Sequence, residues 1–198
     1  IGTQNDEIPS VTLQLTIEAG HRLEDKSKAG VAQLLGDIMQ ESTEKYTAEQ
    51  MEDALAKLGS SISLASGASE ITVTISSLTR NLDATLKLAE EIIFHPKFDK
   101  EDFELVKSQK LQAIANQVTQ PVVVANNVFN KLLYGDNSIM SIPAGGTTAT
   151  VSSITLEDLK SYYKKNISPN ISNLVVVGDI SKADVLTKVN FLKTWKST

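Results

Sequence analysis

"PSVTLQLTIEAG" (residues 9–20), followed by "GVAQLLGDIMQEST" (30–43), decides how this chain folds. In the first stretch Val11, Leu13, Leu15 and Ile17 alternate with Thr12, Gln14, Thr16 and Glu18. Successive side chains of a strand point to opposite faces, so this reads as a strand with one apolar and one solvated face. The second stretch places Leu34, Leu35, Ile38 and Met39 at helical spacing, which predicts a helix over roughly 28–41. Its apolar side has a natural seat on the strand face that carries Val11, Leu13, Leu15 and Ile17. The same helix presents Gln33, Gly36 and Asp37 on one face, because positions i, i+3 and i+4 are neighbours there. That layout suits a metal site, but an amide, a glycine and one carboxylate make poor ligands. Gln33 is expected to be an exposed amide whose removal costs little.

Working outward, "TAEQ" (47–50) has the form of a capping box, and Gly59 in "LGSS" (58–61) is placed to close that helix in a left-handed turn. "SISLAS" (61–66) and "EITVTISSL" (70–78) read as a hairpin around Gly67. "NLDATLKLAEEIIF" (81–94) is an apolar helix stopped by "HPKF" (95–98). Asp99 is expected to cap a long helix to about Asn116, and Pro121 to open another to about Tyr134. "YGDNSIMSIPAGGT" (134–147) reads as a loop, and its Gly-rich "PAGGT" (143–147) as a flexible one, since it lacks the strand and Lys-Ser/Thr context of a phosphate cradle. Thr155 is expected to cap "LEDLKSYYKKN" (156–166). "NLVVVGD" (173–179) is a continuous apolar run, the mark of a central strand, and a last helix is expected over roughly 181–193. The pattern predicts an α+β domain, a mostly antiparallel sheet of about four strands with helices packed on one face.

The chain has 198 residues, 41% of them hydrophobic and 22% charged, which is ordinary for a globular domain. Its net charge of −5 argues against a nucleic-acid partner, because a phosphate-binding face needs a basic excess. There is no cysteine, which removes disulfides and thiolate ligands. No apolar run approaches the ~20 residues that span a bilayer, so no membrane span is expected. The first residue is Ile1 rather than Met, which leads us to expect a processed chain or a piece of a longer one.

Seven fragments stand in order along the chain: "GVAQLLGD" (30–37), "TAEQ" (47–50), "LG" (58–59), "FHPKFDKEDFE" (94–104), "YG" (134–135), "TLEDLKSYYKKNISPN" (155–170) and "NLVVVGD" (173–179). Their order and spacing resemble the repeat unit of the M16 metallopeptidases, the family of insulinase, pitrilysin and the mitochondrial processing peptidases. The resemblance covers essentially the whole chain. Active members of that family use the motif H-x-x-E-H, in which two imidazoles bind zinc and the Glu serves as general base. Carried over residue by residue, the first His falls on Gln33, the Glu on Gly36 and the second His on Asp37. The family's third ligand, a Glu about 75 residues further along, falls on Ala113 in "EDFELVKSQKLQAIANQ" (101–117).

The resemblance therefore implies a domain with no catalytic residue, no cofactor-binding residue and no metal ligand, its motif positions Gln33, Gly36, Asp37 and Ala113 all vacated. No cofactor is expected in this domain, and zinc is expected in a catalytic half of the parent protein. The implied role is a non-catalytic domain of a zinc peptidase that contributes chamber wall and substrate contacts. The alternative is a structural or assembly subunit of the core-protein type. The implied partners are a catalytic M16 half, in the same chain or in a partner subunit, and a peptide or protein substrate. Residues 1–198 form one domain on this reading, with a linker starting at about 190–198. The bacterial periplasm is the first compartment it points to, with mitochondrion and cytoplasm as alternatives.

Bland readings stand beside these. "GVAQLLGD" taken alone is any amphipathic core helix. Asp37 with Glu41 is a pair more often found on a solvated face. His95, ahead of Pro96, and Trp195, near the end of the chain, read as structural residues.

Overall fold

The computed structural model describes residues 2–4 and 9–195. Its centre is a five-stranded sheet in the order β1-β5-β2-β4-β3. The strands are β1 (Gly2–Gln4), β2 (Ser10–Ile17), β3 (Ser61–Ser66), β4 (Ile71–Leu78) and β5 (Ser172–Gly178). Three neighbouring pairs are antiparallel, with Leu13 opposite Ile75 on one side and Val176 on the other. The fourth pair, β1 with β5, is parallel. β1 is the fifth strand beyond the four expected; three residues are too few to print an alternating pattern.

The alternation in β2 has the predicted consequence. Val11, Leu13, Leu15 and Ile17 are buried, as are Ile71, Val73 and Ile75 of β4. They form one cluster with Val31, Leu34, Leu35 and Ile38 of α1 (Val31–Ile38) and Met39 just past it. Leu82, Leu86, Ala89 and Ile93 of α3 (Leu82–Phe94) join the same core. So do Leu159 and Tyr162 of α7 (Leu156–Asn166). α2 (Ala48–Leu58) has the predicted capping box between Thr47 and Gln50 and ends on Gly59 at φ 58. Thr155 caps α7 through a second box with Asp158.

Several boundaries differ from the sequence pattern. The first helix is Val31–Ile38 rather than 28–41, because Gly30 at φ 102 breaks it from a 3-10 turn at Lys26–Lys28. α6 (Thr148–Ser153) has no counterpart in the expectations; its residues are small or β-branched, and a Thr147–Thr150 capping box sets it up. β5 lies between two strands, as a central strand should, but β2 is the middle strand, and Val175 and Val177 are 37% and 46% exposed on the open face. The last helix divides into α8 (Lys182–Lys188) and a 3-10 segment, Val189–Thr194. Trp195 then packs on Phe94 at 5.5 Å between ring centroids and donates its Nε1–H to the Ile167 carbonyl. Within the expected linker start, 190–198, residues 196–198 lie outside the described residues.

Candidate functional site

Glu24 fixes the start of α1. Its Oε1 accepts the Ala32 amide at 2.7 Å and its Oε2 the Gly30 amide at 2.9 Å. These amides have no partner inside the helix, so a carboxylate there satisfies them and meets the positive end of the dipole. α1 then runs past α4 (Lys100–Gln117) and the edge strand β3. Asp37 comes beside Ala113 in an open depression that Glu41, Gln109 and Lys110 also line. Gln33 stands one turn before Asp37 on the same helix face. Asp37 and Ala113, two of the positions on which the motif falls, thus line one depression where α1 meets α4.

The centre of this place is a residue that the sequence reading passed over. The Lys110 ammonium donates to Gln33 Oε1 at 2.5 Å and lies 3.9 Å from Asp37 Oδ2. Its side chain is 19% exposed. The available signal was its position on α4, one turn before Ala113, on the face turned toward α1. Gln33 is accordingly not the exposed amide expected. It is half-buried, and its Nε2 donates to the Ser66 carbonyl of β3 at 3.4 Å. Gln40 works alongside it, donating to the Gly36 carbonyl at 3.0 Å and accepting the Leu64 amide at 3.0 Å.

The "PAGGT" loop, read as flexible, is docked over this corner. A Cβ on Gly145 would lie 3.1 Å from Gln33 Oε1 and 3.8 Å from Lys110 Nζ. Gly146 is buried at φ 79. Gly36, in contrast, has ordinary room: a Cβ there would meet nothing nearer than Ser66 Cβ at 4.0 Å.

Burial raises the pKa of Asp37, and the Lys110 charge offsets part of that. Glu41 is raised as well, by burial and by Asp102 and Asp37. The donor set does not fit a zinc ion. Gln33 Oε1 is engaged by an ammonium, Gly36 and Ala113 carry no donor, and Asp37 faces a fixed cation that a metal would have to displace. Among the described residues, no group of three or more His, Cys, Asp or Glu is placed to hold a metal.

The two histidines lie elsewhere. His95 sits at the end of α3, 3.6 Å from Glu44, with its side chain 42% exposed. His21 is buried in the turn after β2, its Nδ1 2.6 Å from Glu24 Oε2.

Residues 1–140 match the family model described as Insulinase (Peptidase family M16), and 153–198 that of the Peptidase M16 inactive domain. A Helicobacter pylori protein named non-peptidase homolog YmxG is 24% identical over 94% of this chain and 43% of its own length. The uncharacterized zinc protease ML0855 of Mycobacterium leprae is 22% identical over 92% of this chain and 41% of its own length. Among solved structures, a peptidase M16 inactive domain from Pseudomonas fluorescens superposes with a TM-score of 0.93 at 22% identity. It matches all of this chain and 48% of that one. The chain therefore spans a little under half the length of these relatives.

Proposed function

Because the chain belongs to peptidase family M16, the insulinase family, we propose that it is a non-catalytic unit that acts beside a zinc-bearing half of the same family. On this reading it supplies wall and substrate contacts while the chemistry is done elsewhere. The observation that carries the reading is the meeting of Gln33 and Asp37 with the Lys110 ammonium, in a depression that Ala113 also lines. An active M16 centre needs two imidazoles, a third ligand and a carboxylate base. Here the same corner holds an amide, one carboxylate and a cation, and the position of the base is Gly36. The name of the Helicobacter pylori relative, non-peptidase homolog, points the same way.

The partner in this reading has a face to meet. α5 (Pro121–Tyr134) has no buried residue among those described, although it is rich in apolar side chains. Val122, Phe129 and Leu132 are 72%, 61% and 81% exposed. Large apolar side chains left exposed together on one helix mark an interaction site. Since the relatives are about twice as long as this chain, we assign a second M16 unit as the cover of α5.

The test is metal analysis of the dialysed chain together with a peptidase assay. The expected results are less than about one tenth of a zinc per chain and no cleavage that responds to substitution at Asp37. One zinc per chain at sub-micromolar affinity would overturn the proposal.

A further inference from the structure

We infer that His21 is a doubly protonated clasp that holds the α5 segment to the body of the domain, and that loss of one ring proton opens it. The inference rests on what surrounds the ring and is independent of the partner proposed above. Nδ1 lies 2.6 Å from Glu24 Oε2, while Nε2 lies 3.0 Å from the Ile139 carbonyl and 2.9 Å from the Ile142 carbonyl. A neutral imidazole has one N–H and one lone pair. Carbonyl oxygens only accept, so Nε2 must carry a proton. Glu24 already accepts the Gly30 and Ala32 amides at the head of α1, one on each of its oxygens. It too is only an acceptor, so Nδ1 must carry the second proton. In either neutral tautomer a ring lone pair would face an oxygen lone pair inside the protein, where an unsatisfied contact is expensive. The ring is 2% exposed, so water is not at hand to relieve it.

The charged groups around the clasp agree with this assignment. Glu24 supplies the counter-charge. From α7, the Tyr162 hydroxyl donates to the Ala19 and Gly20 carbonyls just ahead of His21, and burial beside Glu24 pushes its pKa up, so it stays a neutral donor. Outside, the Lys26 ammonium donates to the Asp136 carbonyl, and the Asp136 carboxylate pairs with Lys131. Burial pulls the His21 pKa down, but the Glu24 hydrogen bond and charge and the two carbonyls outweigh it, and the net shift is upward.

What the clasp holds follows from the packing. Ile139–Ser141 forms a 3-10 turn, and α5 is seated chiefly on it. That turn in turn rests on the 3-10 segment His21–Leu23. Through Nε2–H the imidazolium is the polar tie between them. It joins the apolar α5 to the same carboxylate that starts α1.

His21 has a folded pKa above its unfolded value, so its contribution is complete below the unfolded pKa of about 6.5 and fades as pH rises through the folded pKa. The test uses the His95→Gln chain, in which His21 is the one remaining imidazole. Nitrogen-15 shifts should report both ring nitrogens protonated at pH 6.5. Amide-exchange protection over 122–142, corrected for the intrinsic pH dependence, should fall by at least about tenfold as the ring titrates, the factor expected for losing one charge-assisted bond. Protection in α3 should not follow. His21→Gln should flatten the pH dependence and leave the segment in the less protected state. A neutral tautomer at pH 6.5, or protection over 122–142 that ignores the titration or changes only together with α3, would overturn the inference.

Discussion

Replacing Lys110 by Met tests the candidate site most directly, because it keeps the length of the side chain and removes the charge. Lys110 donates to Gln33 Oε1 and lies 3.9 Å from Asp37 Oδ2, at 19% exposure against 46% for Asp37. A hydrogen bond from a charged donor contributes about 1.5–3 kcal/mol. The Asp37 pair, being half open to water, adds at most about 0.5–1 kcal/mol. Against these, a Met needs no partner for a half-buried ammonium, which returns part of the gain. The net expectation is a loss of about 1–2 kcal/mol near pH 7.5, seen as a lower urea midpoint at unchanged slope. The loss should shrink at low pH. Asp37 already has its pKa raised by burial, and Lys110 holds it down. Without Lys110 the carboxylate titrates higher still, which weakens the folded state above the unfolded pKa and not below it. At pH 4 only the Gln33 bond is missed. A variant as stable as the parent at pH 7.5 would show that the ammonium is not engaged with this corner, and a deficit of the same size at pH 4 would show that it is not coupled to Asp37.

Two further outcomes check the frame around the site. Leu35 is fully buried in the core under α1, so Leu35→Ala should lower stability by about 2–5 kcal/mol in denaturant unfolding. At Gly146, φ is 79 and a Cβ would come within 2.3 Å of the Ala29 carbonyl oxygen. Gly146→Ala should therefore cost at least the ~1–3 kcal/mol of a non-glycine residue held in that region, read as a fall in Tm of ~2–4 °C per kcal/mol.

What could be read from the sequence is what depends on near neighbours. The alternation in Val11–Ile17 fixed which face of β2 is buried, because a strand has a period of two. Thr47 with Gln50 and Thr155 with Asp158 announced helix starts, since capping pairs lie three residues apart. The fixed spacing of the motif singled out Asp37 and Ala113, 76 residues apart, and the two line one depression. What could not be read depends on contacts distant in the chain. Lys110 and Gln33 are 77 residues apart, and His21 meets the Ile142 carbonyl across 121. Neither leaves a periodic trace. The apolar run Leu174–Val177 misled for a related reason. It implies burial on both faces, yet the described residues cover only one face of β5, and Val175 and Val177 lie exposed on the other.

The corner also shows how protein groups alone can hold α1 in place. In the arrangement that the H-x-x-E-H motif implies, zinc would join two residues of α1 to one of α4 and so act as a cross-link between helices. Here a cross-link of lower charge joins the same two helices, from the Lys110 ammonium of α4 to Gln33 of α1. The amides of Gln33 and Gln40 extend it to β3, the last strand of the sheet. They bond the Ser66 carbonyl and the Leu64 amide, backbone groups that an edge strand leaves open. Three elements that a metal site would need held in register are thus held by one ammonium and two amides. Apolar burial alone would press α1 onto the sheet; these polar contacts also fix where along β3 and α4 it sits. Restoring the three ligands at Gln33, Asp37 and Ala113 and the base at Gly36 would cut this tie while leaving Lys110 aimed at the new site. We therefore expect such a variant to bind metal weakly, and more tightly once Lys110 is replaced as well.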